Sequence, residues 1–175
     1  EVFAKMAPPS PRRPGFSRRA HYSLFASYVA ALIGALVGLL LMVHYGTEQQ
    51  KTEWIDDLSE SRRYFTVGIT ETAHGSDATH METSAVRTGD TWTINGEKSW
   101  NTGIHRASHI LVIARTSGKA GDASGLTAFL VPTDTAGFKL EEMLWTFNMP
   151  TDHGRVSFTN LQVPHSSIFG GEGKA

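Results

Sequence analysis

Hydrophobic and polar positions follow three successive patterns along the chain. Residues 24–43 read LFASYVAALIGALVGLLLMV, a continuous apolar stretch without a charged residue. Residues 44–60 have the spacing of a short amphipathic helix, with apolar side chains at i, i+1 and i+4 and Thr47 as a possible N-cap. From residue 61 to 175, short runs of β-branched and aromatic residues are separated by Gly, Asp, Asn and Ser. These patterns predict an apolar helix, a short amphipathic helix and a mainly β domain, in that order.

The spacing of the short runs in the third region is typical of an antiparallel β-barrel or sandwich. The Asn95-Gly96 pair lies between TWTI and EKSW and tolerates the positive φ angles that a two-residue type I′ turn requires, so a hairpin is predicted there. The predicted strands are Phe65–Thr70, Thr83–Arg87, Thr91–Ile94, Ser99–Thr102, Ile110–Thr116, Leu126–Val131, Phe138–Glu142, Arg155–Phe158 and Leu161–Val163.

The apolar stretch 24–43 has two interpretations. Its 20 residues are enough to cross a bilayer core of about 30 Å at about 1.5 Å per residue, and the preceding residues 1–23 are basic and Pro-rich. This is the pattern of a membrane anchor, with Arg18 and Arg19 at its cytoplasmic end. The alternative is a buried helix of a domain, in which Gly34 and Gly38 allow close packing. The first interpretation predicts a membrane-associated protein and the second is compatible with a cytoplasmic one.

Composition excludes several classes of function. The formal net charge is −1 and the pI is near 6.8, so the chain lacks the overall basic surface that nucleic-acid binding usually requires. It has no cysteine, which excludes thiolate catalysis, disulfides and Cys-ligated metal centres. His105 and His109 have the i, i+4 spacing of two metal ligands, but only on a helix, and the sequence there reads as a turn entering a strand. No metal site is predicted.

Two strings hold the candidate chemistry. In VGITETAHGSDATHMETSA, which is Val67–Ala85, a strand runs into a polar turn that presents backbone amides and hydroxyl groups. The second string, GDTWTINGEKSWNTG, begins at Gly89 and brings a tryptophan and a threonine onto a predicted strand. Taken alone, the first string is an ordinary polar turn, Trp100 is a core aromatic and Thr102 is a good β-former.

Together the two strings resemble the central β-domain of the acyl-CoA dehydrogenase family. That family has a Thr-Glu-Pro-x-x-Gly-Ser-Asp turn followed by a Gly-Asp-x-x-x-x-Asn-Gly-x-Lys-x-Trp-x-Thr-Gly segment. The similarity runs in one collinear order over about residues 43–173. The matching positions are Thr70, Glu71, Gly75, Ser76, Asp77, Gly89, Asp90, Asn95, Gly96, Lys98, Trp100, Thr102 and Gly103, and then ARTS, GLTAFLVP, GF, VSFTNLQVP and GGEG.

The resemblance implies an FAD site at these strings. It implies that Trp100 packs against the isoalloxazine, that the Thr102 hydroxyl is directed at the reactive N5 region, and that Ser76 also touches the acyl-CoA. Two departures from the family pattern are Thr72, where proline is usual, and Asn101, where an aliphatic residue is common. The implied FAD-binding residues are Val67, Ile69, Thr70, Gly75, Ser76, Trp100, Asn101 and Thr102.

The activity implied by the resemblance is α,β-dehydrogenation of acyl-CoA thioesters, with an electron-transfer flavoprotein-type acceptor and a homo-oligomeric full-length enzyme. In the family the catalytic base is a glutamate of a C-terminal helical domain, for which this sequence has no matching position. No catalytic residue is therefore assigned, and the chain is expected to be an inactive fragment by itself. The alternatives are a membrane-anchored non-catalytic binding or assembly module, or a chimeric chain, because residues 6–43 weakly resemble the N-terminal anchor of rod-shape-determining membrane proteins.

Overall fold

The structure, a computed structural model, describes residues 36–147 and 149–175. Two helices come first: α1 over residues 36–45 and α2 over Glu48–Ser59. Thr47 caps α2 as predicted, because its hydroxyl accepts a hydrogen bond from Gln50 N at 3.2 Å while the Gln50 side chain accepts one from Thr47 N at 3.0 Å. The apolar spacing also has its predicted consequence, since Trp54 and Leu58 are buried.

Eight strands are present among the described residues, and they form one sheet in the order β6-β7-β3-β2-β4-β5-β8, with β1 added beside β4. The domain is mainly β, as predicted, but the sheet is mixed. Strand β1 runs parallel to β4, and β2 joins β4 through one parallel pair, so the purely antiparallel prediction is wrong on this point. The strands are β1 Phe65–Gly68, β2 Ser84–Thr88, β3 Thr91–Thr102, β4 His109–Arg115, β5 Leu126–Pro132, β6 Phe138–Thr146, β7 Met149–Pro164 and β8 Ile168–Phe169.

The Asn95-Gly96 pair does not form the predicted hairpin turn. Strand β3 continues through it, and the turn lies at Gly89-Asp90, between paired Thr88 and Thr91. At Gly96 φ is +145°, and a Cβ there would lie 2.5 Å from Thr83 Oγ1. Glycine therefore allows Thr83 to pack closely against β3 at a point where the β3–β7 register shifts. The prediction failed because the same dipeptide tolerates both a turn and a bulge, and pairing of β3 on both sides selects the bulge.

Two apolar clusters form the core. One fills the sheet interior around Trp92 and Phe129, whose rings make an edge-to-face contact with centroids 5.3 Å apart. The other joins the two helices to β1, β4, β5 and β8, with Trp54 edge-on to Phe65. Gln50 adds a polar tie between α2 and β8, because its side-chain amide donates to Ile168 O at 3.0 Å. The helices are therefore part of the same core as the sheet.

Residues 1–23 and most of the apolar stretch, residues 24–35, lie outside the described residues. Within the described part, no helix has the length and apolarity needed to cross a membrane. The C-terminal part of the stretch lies in α1 and packs onto the domain: Met42 is fully buried, and a Cβ at Gly38 would contact Leu58 at 3.6 Å and Phe65 at 3.7 Å. Among residues 36–43, Gly38 and Met42 are therefore buried as the buried-helix interpretation predicts, whereas Leu36, Val37, Leu40 and Val43 are exposed.

Candidate functional site

A buried ion pair fixes the loop after β1 to strand β3. Lys98 Nζ donates to Glu71 Oε1 at 2.9 Å and to the carbonyl of Ile69 at 3.0 Å, and both charged side chains are buried. One ammonium group therefore holds the loop both by its carboxylate and by its backbone. The loop takes its position from a residue 27 positions further along the chain.

Two backbone amides also donate hydrogen bonds to the Glu71 carboxylate. Glu71 Oε2 accepts from Glu82 N at 2.6 Å, and Oε1 accepts from Thr83 N at 2.9 Å. Burial alone would raise the pKa of Glu71, but the hydrogen bonds from Thr83, Glu82 and Lys98 together hold it below its ordinary value. Burial lowers the pKa of Lys98, against the opposing effect of Glu71. The carboxylate therefore stays ionised. The Lys98–Glu71 pair that holds the loop against β3 is called the clamp below.

The clamp places the first string directly beside the second. Ser99 N donates to Thr70 O at 2.8 Å, and the hydroxyls of Thr72 and Ser99 lie 3.2 Å apart. The family proline is absent at position 72, and the Thr72 hydroxyl instead makes this cross-link. Ile69 and Trp100, which flank these contacts, are both exposed large apolar residues. The structure therefore brings the two strings together, as the sequence predicted.

Trp100 is turned outward by a bulge. It has φ of +64°, in the left-handed region that non-glycine residues rarely occupy, and it lies where the β3–β7 register shifts between Lys98 and Asn101. The residue is 47% exposed and belongs to neither apolar cluster of the core. Strained backbone of this kind persists only where surrounding contacts enforce it and is concentrated at functional sites.

The side chain of Asn101 stabilises the bulge with two hydrogen bonds. Its side chain is fully buried, and Nδ2 donates to Lys98 O and to Gly154 O, both at 2.9 Å. These two bonds tie the bulged segment of β3 to itself and to β7. Asn101, the second departure from the family pattern, therefore makes polar contacts within β3 and to β7.

Thr102 and His153 form a pair that sequence reasoning missed. Thr102 is exposed, and its Oγ1 lies 2.9 Å from His153 Nδ1, while the His153 ring is edge-on to Trp100 with centroids 6.2 Å apart. The two residues are 51 positions apart and become neighbours through the β3–β7 register. The sequence around His153 gives no indication of this contact, because the contact depends on the pairing of β3 with β7.

The remaining predicted FAD-binding residues lie in β1 and in the loop that follows it. Val67 is half-buried in β1 and packs against the second core cluster. Gly75 and Ser76 are exposed in the loop, and a Cβ at Gly75 would meet no atom within 4 Å. Asp77 shapes the turn that follows them, because its carboxylate accepts from Thr79 N at 3.2 Å. Of the other predicted residues, Ile69, Trp100 and Thr102 are exposed and Thr70 is half-buried, and these four residues of the two joined strings are called the ledge below.

Beside this ledge lies an open groove with a volume of about 510 Å³. The Arg155 guanidinium lies on its wall and bridges Glu97 and Glu142, at 3.4 Å and 3.0 Å. Hydroxyls from Thr72 and Ser99 line the groove next to Trp100. The site thus combines an apolar surface with hydroxyl groups and a charged wall of one guanidinium and two carboxylates.

Comparison with known proteins identifies this arrangement. Residues 66–161 match the model of the acyl-CoA dehydrogenase middle domain, more than half of the chain. The human mitochondrial short-chain specific acyl-CoA dehydrogenase is 32% identical over 135 residues, which are 75% of this chain and 32% of that protein. Acyl-CoA dehydrogenase AFT10-1 of Alternaria alternata is 30% identical over 141 residues, or 81% of this chain and 32% of that protein.

A solved structure of a putative acyl-CoA dehydrogenase from Mycobacterium abscessus superposes with a TM-score of 0.73 at 33% identity, over 79% of this chain and 36% of that one. The chain belongs to the acyl-CoA dehydrogenase family, and the matched part is its middle domain. It spans about a third of the length of these relatives.

The ledge fits the flavin that members of this family use. An isoalloxazine presents flat apolar faces and a polar edge, and the ledge offers an exposed indole and an exposed Ile69 beside the hydroxyls of Thr70 and Thr102. The open space at Gly75 leaves the neighbouring loop accessible. The residues present therefore suit an FAD ring placed against the bulge.

Proposed function

We propose that this chain forms one wall of the FAD site of an acyl-CoA dehydrogenase that oxidises the α,β-bond of acyl-CoA thioesters. The observation that carries the proposal is the outward-turned Trp100, held in a left-handed bulge next to Ser99, whose N–H bonds the carbonyl of Thr70. Trp100 belongs to neither apolar cluster, and its left-handed backbone costs strain. Presenting its ring face to a ligand is a function that accounts for that strain.

Each residue of the ledge has a part in this proposal. Trp100 and Ile69 supply the apolar wall against which the isoalloxazine packs, and Thr70 and Thr102 supply hydroxyl groups for its polar edge. When bound, FAD accepts the hydride that leaves the β-carbon of the acyl group. Ser76, exposed on the adjacent loop, is proposed to contact the acyl-CoA. The Lys98–Glu71 clamp keeps the loop and the bulge in register.

Two glutamates of this site, Glu71 and Glu97, are unsuited to removing the α-proton. Glu71 is buried and bound to Lys98, and Glu97 faces the Arg155 guanidinium. A general base needs a carboxylate within hydrogen-bond reach of the substrate carbon and free to take a proton. We infer that the base is provided by a part of the enzyme other than this ledge. An electron-transfer flavoprotein-type acceptor and a homo-oligomeric enzyme belong to the same proposal.

The test of FAD binding is a titration of FAD with the chain, followed by quenching of flavin fluorescence. Trp100→Ala is expected to weaken affinity about tenfold, which corresponds to about 1.4 kcal/mol, because the main apolar contact is lost. Trp145→Ala is the matched control, since Trp145 is also exposed, at 65%, and lies on β6 outside the ledge. Equal loss of affinity in both variants would contradict the proposed ring position.

The test of catalysis is anaerobic mixing of the chain, FAD and acyl-CoA thioesters of several chain lengths while flavin absorbance is followed. The chain alone is expected to cause no substrate-dependent bleaching, since Glu71 and Glu97 are held in ion pairs. Bleaching that is abolished by Glu97→Gln would show that this domain carries its own base and would overturn the assignment of the base to another part.

A further inference from the structure

His153 lies beside the ledge without a role in the proposal so far. Its Nδ1 faces two oxygen atoms, Thr102 Oγ1 at 2.9 Å and Asp152 Oδ1 at 3.8 Å. Strand contacts hold the pair of residues in place, because Gly103 N donates to Asp152 O at 2.7 Å and His153 N donates to Thr151 Oγ1 at 3.3 Å. The His153 ring is further fixed by its edge-on contact with Trp100.

These neighbours decide which ring nitrogen carries the proton. A neutral imidazole has one N–H donor and one acceptor nitrogen, and an ionised carboxylate can only accept. The Asp152 carboxylate near Nδ1 therefore favours a proton on that nitrogen and would repel its lone pair. With Nδ1–H as the donor, Thr102 Oγ1 is the acceptor of the 2.9 Å bond.

We propose that His153 is a positioning residue that donates Nδ1–H to Thr102 Oγ1 and so leaves the Thr102 hydroxyl proton free to point out from β3. Within the described residues, Thr102 Oγ1 makes no other hydrogen bond. Its O–H can then donate to a ligand on the ledge. This inference rests on the proposed function in taking that ligand to be the flavin edge, where an oxidised ring nitrogen needs a donor.

The opposite tautomer would have the opposite effect. If Nδ1 were unprotonated, the Thr102 O–H would be used up as donor to His153, and only lone pairs would face the ligand. The direction of a single hydrogen bond therefore determines whether Thr102 presents a donor or an acceptor. His153 is not part of either family string, but the β3–β7 pairing places it opposite Thr102. It therefore determines whether the Thr102 hydroxyl donates or accepts.

The first measurement is the tautomer of His153 in the ligand-free chain, by two-bond ¹H–¹⁵N NMR at about pH 8, where an ordinary imidazole is neutral. A protonated Nδ1 and an unprotonated Nε2 are expected. His165 is an internal control with the opposite pattern, because Trp92 Nε1 can only donate and its contact at 3.1 Å requires an unprotonated His165 Nδ1. An unprotonated Nδ1 on His153 would overturn the inference.

The second measurement is FAD affinity of two variants. His153→Phe keeps a ring against Trp100 but removes the Nδ1–H that orients the Thr102 hydroxyl, and is expected to weaken binding about fivefold, the scale of one hydrogen bond. His153→Asn places an amide N–H near the position of Nδ1 and is expected to stay within about twofold of the parent chain. Affinity unchanged by His153→Phe, or lost equally in both variants, would overturn the inference.

The two proposals fail in distinguishable ways. If the parent chain binds FAD but Trp100→Ala does not weaken binding, the proposed flavin wall is contradicted, while the NMR tautomer still decides how Thr102 and His153 share their proton. If the parent chain binds FAD and Trp100→Ala weakens it, but His153→Phe does not, the flavin wall stands and the positioning role of His153 is wrong.

Discussion

Lys98 Nζ and Glu71 Oε1 lie 2.9 Å apart with side chains that are 0% and 4% exposed, directly beneath the loop and the bulge that form the ledge. Breaking a buried pair leaves one charge without compensation, which costs several kcal/mol. The pair therefore serves both the stability of the domain and the geometry of its site.

Lys98→Met is expected to lower the free energy of unfolding by about 3 kcal/mol, because Glu71 then keeps a buried charge without its cation. Adding Glu71→Gln removes that charge, so the double variant is expected to be at least about 1 kcal/mol more stable than the sum of the single effects. Chemical denaturation of the parent, both single variants and the double variant measures this coupling. Strict additivity would contradict the role of the pair.

The lowered pKa of Glu71 predicts a loss of stability in acid. Because its pKa is lower in the folded state than its ordinary value of 4.5, its contribution is fully present above that value and is lost as pH falls through the folded pKa. Thermal unfolding of the parent chain below about pH 4.5 should therefore show a decline that Glu71→Gln lacks. Parallel curves for the two proteins would show that other carboxylates cause the acid transition.

Trp100→Gly is expected to be more stable than Trp100→Ala. At φ of +64° a Cβ costs roughly 1 kcal/mol that glycine avoids, and the burial of the indole is lost equally in both variants. Both variants should lose FAD affinity alike, since both lack the ring. Comparing their denaturation midpoints measures the strain, and a more stable alanine variant would mean that the bulge relaxes once the tryptophan is removed.

Gly96→Ala is expected to destabilise the domain by about 2–4 kcal/mol, because the new Cβ would lie 2.5 Å from Thr83 Oγ1 and 2.6 Å from Thr83 Cα. Gly75→Ala provides the matched control, since its Cβ would meet nothing within 4 Å, and its stability should stay within about 0.5 kcal/mol of the parent. Urea denaturation of both variants tests the assignment of the Asn95-Gly96 pair to a bulge. A mild effect at position 96 would contradict it.

The sequence by itself determined the elements whose causes are local. The capping box at Thr47 and the apolar spacing of Trp54 and Leu58 involve residues three or four positions apart, so α2 could be predicted with its N-terminus. Alternating β-branched and aromatic runs likewise located most of the strands. The resemblance predicted a common site for the two strings, and the structure joins them through the bond from Ser99 N to Thr70 O.

Only the tertiary structure decided the features that depend on strand register. Asn95-Gly96 is compatible with a turn or a bulge, and pairing with β2 and β7 selected the bulge. The burial of Lys98 needed Glu71, 27 positions away, and the role of His153 needed its place opposite Thr102, 51 positions away. Local sequence determines which backbone conformations have a low free energy. Cross-strand pairing brings charged groups and hydroxyls from distant segments within bonding distance. Only the groups that come this close can form the site together.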